Sequence, residues 1–138
     1  SVVSDQVSCP TSPFTLAKMC WSVIKKEKKI FDSTDKKVPI LHCCDGGRAS
    51  WYDVAEKISE FGLDLGLIKN KSFIKPVNSI EYKTSAIRPS FSLLNCESSF
   101  EILNFKVNHW KDEVYKNMTK IVHNNYLDYY NNSIGNAK

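Results

Sequence analysis

The sequence predicts one α/β domain of the mixed α+β kind, with short strands packed against three or four helices. Three observations predict it. Apolar residues recur at helical spacing in several separate stretches, which marks amphipathic helices. Between them lie short β-leaning runs bounded by Gly, Pro, Asn and Ser. Strands and helices alternate without an internal repeat or a low-complexity linker, the pattern of a layered α/β or α+β unit. A chain of 138 residues suits a single domain with a modest core.

The elements follow in order. Residues 2–9 read as a short strand. Ser12 and Pro13 then open a helix, Ser12 as N-cap and Pro13 at the first helical position, where its missing N–H costs nothing. Leu16, Met19, Cys20, Val23 and Ile24 form its expected buried stripe, to about Lys29, and 31–37 reads as a polar loop. A strand is expected over 38–44 and a helix over 50–61, stopped by Gly62. Two β candidates, 74–82 and 90–96, are separated by a loop. Ser98 with Glu101 starts a short helix ending near Leu103. Asn108 is expected to cap a longer helix with Trp110, Val114, Met118, Ile121 and Val122 on one face. The domain is therefore expected over 1–123, and the Asn- and Tyr-rich 124–138 as a frayed tail.

Composition removes several function classes. No apolar run approaches the roughly 20 residues that span a bilayer. The start, SVVSDQVSCP, has neither the basic region nor the apolar core of a secretory leader, so the chain reads as cytoplasmic. Lacking an initiator methionine, it also reads as cut from a longer protein or processed. The net charge of +4 is concentrated at Lys25, Lys26, Lys28 and Lys29. No aromatics interleave with them, which favours a solvated helix end over nucleic-acid binding. Three Asn-x-Ser/Thr matches, at Asn70, Asn117 and Asn131, are read as chance. Cys9, Cys20, Cys43, Cys44 and Cys96 form no C-x-x-C, so they read as reduced, buried thiols. With no further ligand at metal spacing from His42, no metal site is expected.

The most pointed stretch is 41–56, LHCCDGGRASWYDVAE. It reads as a strand end, a tight turn at Gly46 and Gly47, and a helix start with Ser50 and Asp53 in a near capping box. Strand, glycine turn and helix is the arrangement in which α/β enzymes place ligands. These glycines are too few and wrongly spaced for a phosphate loop.

Four segments, taken together and in order, resemble one family. They are Asp5-Gln6-Val7-Ser8-Cys9-Pro10-Thr11 with Leu16-Ala17; His42 through Ala55 with Ser50-Trp51-Tyr52-Asp53; Arg88-Pro89-Ser90-Phe91-Ser92-Leu93-Leu94; and Trp110. They resemble the C-terminal, substrate-binding part of dTDP-4-dehydrorhamnose reductases, which are extended short-chain dehydrogenase/reductases. That family reads D-Q-x-G-x-P-T, D-L-A, H-x-x-G-x-G-x-x-S-W-Y-E-F-A, R-P-x-x-S-x-L and L-P-x-W. Ser8 stands where the family has glycine, Thr15 where it has aspartate, and Val107-Asn108-His109 where Leu-Pro precedes the Trp. Asp45-Gly46-Gly47 shifts the glycine pattern, and 63–71 is an insertion. These departures suggest a divergent member or a decayed paralogue.

The resemblance implies an intact enzyme in which NADPH or NADH delivers hydride to the C4 carbonyl of dTDP-4-dehydro-L-rhamnose. This sequence contains no glycine-rich dinucleotide fingerprint. The residues four after its six tyrosines are Glu56, Ala86, Thr119, Tyr130, Ser133 and Ile134, so the catalytic Tyr-x-x-x-Lys is absent as well. No catalytic and no cofactor-binding residue is therefore assigned here. Hydride transfer would need a nucleotide-binding domain in cis or in trans. The resemblance places Gln6, Ser8, Pro10 and Thr11 near the dTDP-sugar, and Arg88, with a planar fork suited to diphosphate, beside it. Each has a plainer reading: a turn ending a strand, and an exposed arginine before a proline. Trp51 and Trp110 read as packing aromatics, and His42 as a packing or turn residue. A non-catalytic scaffold or regulatory subunit, with homodimer formation through apolar surface, is the second expectation.

Overall fold

A computed structural model of the chain describes residues 1–32, 40–82 and 84–123, without the side chains of 29, 31 and 32. In order they form β1 (Val2–Val3), β2 (Val7–Ser8), α1 (Pro13–Asp32), β3 (Ala49–Ser50), α2 (Trp51–Asp64), β4 (Pro76–Val77), α3 (Glu97–Leu103) and α4 (Trp110–His123). This is the mixed α+β class that the periodicity predicts. The expected tail and residues 33–37 of the expected loop lie outside the described residues.

The strands are shorter than the sequence suggests. The run 2–9 is two strands in two sheets. β1 pairs parallel with β4, Val2 opposite Pro76 and Val3 opposite Val77. β2 pairs antiparallel with β3, Val7 opposite Ser50 and Ser8 opposite Ala49. The chain changes sheets at Asp5, whose carboxylate accepts from the Ser79 backbone N–H at 2.9 Å and from its hydroxyl at 2.6 Å. Of 74–82 only Pro76–Val77 pairs, because the Asn78 carbonyl then accepts from both Glu81 and Tyr82 N–H and turns the chain. Of 90–96 only Phe91 bridges to Val7. Residues 40–44 form no strand; His42 N–H donates to the Ser99 hydroxyl at 2.8 Å rather than to a neighbouring strand.

α1 starts as expected. Ser12 Oγ accepts from Phe14 N–H at 3.3 Å, and the Ser12 carbonyl accepts from Leu16 N–H. The helix runs past Lys29 to Asp32. Its buried stripe is rotated from the expected one: Thr15, Met19 and Ile30 are buried, while Leu16, Cys20 and Ile24 face outward. The reason lies in α3. Met19, Ile30 and Leu103 make the core cluster, with Val23, Leu41, Cys43, Phe100 and Phe105 packed around it. The Lys26 ammonium also donates to the Leu103 carbonyl, fixing that face toward α3. Leu103 is 1% exposed, and its truncation to Ala would cost about 2–5 kcal/mol.

α2 carries the full capping box, with Ser50 N–H on Asp53 Oδ2 at 2.8 Å and Asp53 N–H on Ser50 Oγ at 3.1 Å. It continues past Gly62 to Asp64. Gly62 is not a stop but a contact: a Cβ there would lie 3.5 Å from Ile68 and 3.8 Å from Met118 of α4. The turn glycine is Gly66, at φ +70°. Phe61 meets Tyr115 of α4 edge to face, centroids 5.1 Å apart.

α3 begins at Glu97, where Asn95 Oδ1 accepts its N–H at 2.9 Å, so Ser98 lies inside the helix rather than before it. α4 begins at Trp110, one residue later than a cap at Asn108 would give. The His109 carbonyl accepts from Asp112 and Glu113 N–H, and its Nδ1 accepts from Lys111 N–H. Asn108 instead donates from its amide to Glu113 Oε1 at 2.7 Å. Trp110 is buried as expected, whereas Ile121 is exposed.

Candidate functional site

The first cleft has a volume of about 390 Å³ and is walled by Val2 and Val3 of β1, Gln6, Trp51, Tyr82, Thr84 and Arg88, with Ser1 at its rim. Local structure brings these together. Asp5 anchors Ser79, and Gln6 Nε2 donates to the Ser79 hydroxyl at 3.0 Å. The 5–6 bend is thereby fixed to the turn that carries Tyr82. The same Ser79 hydroxyl, followed by its backbone N–H, holds the Asp5 carboxyl below the ordinary aspartate range. Arg88 lines the same cleft, is exposed and makes no ion pair among the described residues.

A second cleft, of about 250 Å³, is lined by Ser8, Cys9, Pro10, Thr11, Ala49, Ser50, Trp51 and Val54. The five residues that the sequence suggests therefore divide. Gln6 and Arg88 share the first cleft, and Ser8, Pro10 and Thr11 share the second. Trp51 lines both.

This corrects the expectation for Trp51. At 54% exposed, at the first position of α2, it is not a buried packing aromatic. Trp110, 2% exposed, is a packing aromatic. Sequence reasoning missed Tyr82 and Thr84. Their signal was slight: a Tyr at the end of a β-leaning run, followed two residues later by Thr, a few positions before Arg88.

The glycine turn serves a different purpose from ligand binding. Gly46 N–H donates to the Asn108 carbonyl at 2.8 Å, and Trp110 N–H donates to the Gly46 carbonyl at 2.9 Å. Of the two turn glycines, Gly47 has a positive φ, +92°. The turn is a joint that seats the start of α4.

The helix N-termini that could meet a pyrophosphate are already occupied. Asp45 Oδ2 accepts Ser12 N–H at 2.8 Å ahead of α1, Asp53 closes the box on α2, and Asp112 and Glu113 sit in the first turn of α4. Negative side chains at those positions repel a phosphate rather than receive one.

All five cysteines are free thiols. Cys44 and Cys96 are buried with their sulfurs 3.5 Å apart, and Cys9 Sγ donates to the Asp45 carbonyl at 2.9 Å. Burial pushes the Cys44 thiol up to about 12 and Cys43 to about 11. Such thiols are poor nucleophiles. Among the described residues no three His, Cys, Asp or Glu side chains gather as a metal site. No described helix is long and apolar enough to cross a membrane.

Two clefts sharing one tryptophan lie on a small α+β domain of four helices and short paired strands. The chain belongs to the RmlD substrate binding domain family, whose model matches residues 1–123. It is 24% identical over 112 residues to the dTDP-4-dehydrorhamnose reductase of Sinorhizobium fredii (strain NBRC 101917 / NGR234), covering 81% of this chain and 36% of that protein. Its fold matches the crystal structure of a dTDP-4-dehydrorhamnose reductase from Clostridium acetobutylicum with a TM-score of 0.69 at 27% identity, over 87% of this chain and 38% of the other. It also matches the Bacillus anthracis reductase solved in complex with NADP, with a TM-score of 0.68 at 22% identity, over 86% and 37%. The chain thus spans little more than a third of the length of these relatives.

Proposed function

We propose that this chain is the substrate-binding portion of a dTDP-4-dehydrorhamnose reductase-like sugar-nucleotide oxidoreductase of dTDP-L-rhamnose synthesis. The observation that carries this is the shared cleft of Gln6 and Arg88, walled by Trp51 and Tyr82, in a domain of this family. An arginine fork without a carboxylate partner suits the diphosphate, and exposed aromatic faces suit a base or sugar ring. Ser8, Pro10 and Thr11 extend the contact across Trp51 into the second cleft.

On this reading the chain contributes the lid and part of the nucleotide-sugar contacts, and no hydride transfer of its own. The carboxylates at the starts of α1, α2 and α4 disfavour the phosphates of a nicotinamide dinucleotide at those helix ends, which supports this reading. NADPH or NADH would be held by a nucleotide-binding domain in cis or in trans, in the cytoplasm. Exposed apolar side chains, among them Trp21, Ile24, Phe73 and Ile87, favour a chain that packs against such a neighbour or a second copy. The same surface supports the second reading, a non-catalytic scaffold of the same descent.

Thermal shift with dTDP, a dTDP-sugar and NADPH separates these readings. Stabilisation by the dTDP ligands and not by NADPH is the expected result. Stabilisation by NADPH would overturn the division of labour, and indifference to every dTDP ligand would leave the scaffold.

A further inference from the structure

Cys44 and Cys96 are 52 positions apart in sequence, yet their sulfurs stand 3.5 Å apart inside the domain. Both side chains turn to one point. Each sulfur donates weakly to the Leu94 carbonyl, at 3.9 Å from Cys44 and 3.8 Å from Cys96. Both residues are buried, so the fold itself holds the two thiols together. Closing that gap to the ~2.05 Å of a disulfide needs about 1.5 Å of sulfur movement, within reach of small changes in two side-chain torsions.

The position of the pair gives it a consequence. Cys44 adjoins Asp45, which holds Ser12 N–H ahead of α1, and Gly46, which is bonded to the chain entering α4. Cys96 is the residue before α3. A bond between the two sulfurs would tie the starts of three helices together.

We propose that Cys44 and Cys96 form a redox-modification site, which a hydroperoxide converts to an intramolecular disulfide clamping residues 44–46 to the start of α3. With hydrogen peroxide the step balances. One sulfur attacks a peroxide oxygen, the O–O bond breaks, and water leaves a sulfenic acid behind. The neighbouring sulfur attacks that sulfenic sulfur, the S–O bond breaks, the S–S bond forms, and a second water leaves. Each sulfur gives up one electron to the peroxide, and the two thiol protons end in the two waters. Burial keeps both groups as thiols, so the first attack is slow and waits on local opening of the domain. The site does not depend on the function proposed for the Gln6–Arg88 cleft.

Hydrogen peroxide treatment of the whole folded chain, followed by thiol blocking and non-reducing peptide mapping, tests this. The expected product has lost two hydrogens, joins the Cys44 peptide to the Cys96 peptide, and returns to the dithiol with dithiothreitol. Cys20, which is exposed, sets the dose, through its conversion to oxygen adducts. The linked chain should melt about 5 °C or more above the reduced one, and Cys96→Ala should lose both the link and the rise. Cys9 is the competing partner, since its thiol also interacts with that of Cys44. Free Cys44 and Cys96 at a dose that has consumed Cys20, a link through Cys9, or a mixture of pairings overturns the proposal. A Cys44-to-Cys96 link with no rise in melting temperature overturns the clamp. The mapping is done on the unaltered chain and needs no variant to fold.

Discussion

His109 occupies the space that a side chain at Gly47 would need: a Cβ on Gly47 would stand 2.3 Å from His109 Nε2. Beside it, the Gly46 backbone is hydrogen-bonded on both sides to the chain entering α4. The turn that looks in sequence like a ligand loop is therefore a packing joint between two halves of the domain.

Gly47→Ala should lower stability by about 1–3 kcal/mol, from the positive φ and the imidazole together. Gly66→Ala has the strained φ of +70° but nothing within 4 Å, so it should cost less. Urea unfolding of both variants, and of Gly47→Ala with His109→Ala, checks this. The double variant should recover the steric part and not the backbone part.

Ser50→Ala removes the hydroxyl that holds Asp53 N–H and should cost about 1 kcal/mol. The same unfolding midpoints read it. An unchanged midpoint would mean that the β2–β3 pairing fixes the start of α2 without the cap.

Acid should weaken the Asp5 anchor. The folded state holds this carboxyl below its ordinary value of 3.8, so the unfolded chain takes up the proton more readily. The resulting stability is complete above the ordinary value and is lost as pH falls through the lowered one. The gap in melting temperature between the wild type and Asp5→Asn should therefore be wider near pH ~6 than near pH ~3. Parallel curves would remove Asp5 from the account.

Thiol labelling followed by mass spectrometry should find Cys20, which is exposed, modified first. Cys44, buried and raised to about 12, should react only as the domain unfolds. Early labelling of Cys44 would contradict the packing of its sulfur against Cys96.

Much of this fold was legible in the sequence, for identifiable reasons. Ser12-Pro13 and Ser50 with Asp53 are local signals whose geometry needs only a few residues, and both helices start where they indicate. The class and the family followed from the order of such segments. What failed depended on distant partners. Which face of α1 is buried depends on Leu103 of α3, and Gly62 ends no helix because it faces Ile68 and Met118. Strand lengths failed for the same reason: the hydrogen bonds of Asp5 to Ser79 and of His42 to Ser99 divert chain that β propensity alone would extend. In the candidate site, Gln6 and Arg88 were found from motif wording, but their meeting across 82 positions was not. Trp51 was misjudged because exposure at the first position of a helix has no signature in sequence.

On the proposed function, the cleft shared by Arg88 and Gln6 receives a dTDP-sugar. Calorimetric titration of the chain with dTDP, repeated on Arg88→Ala, tests it most directly. A charge-assisted hydrogen bond of about 1.5–3 kcal/mol predicts saturable binding weakened by roughly 10- to 150-fold in the variant. Because Arg88 is exposed and has no ion pair among the described residues, the variant's melting temperature should not change. Binding of equal strength in both proteins, or no binding in either, would contradict the claim.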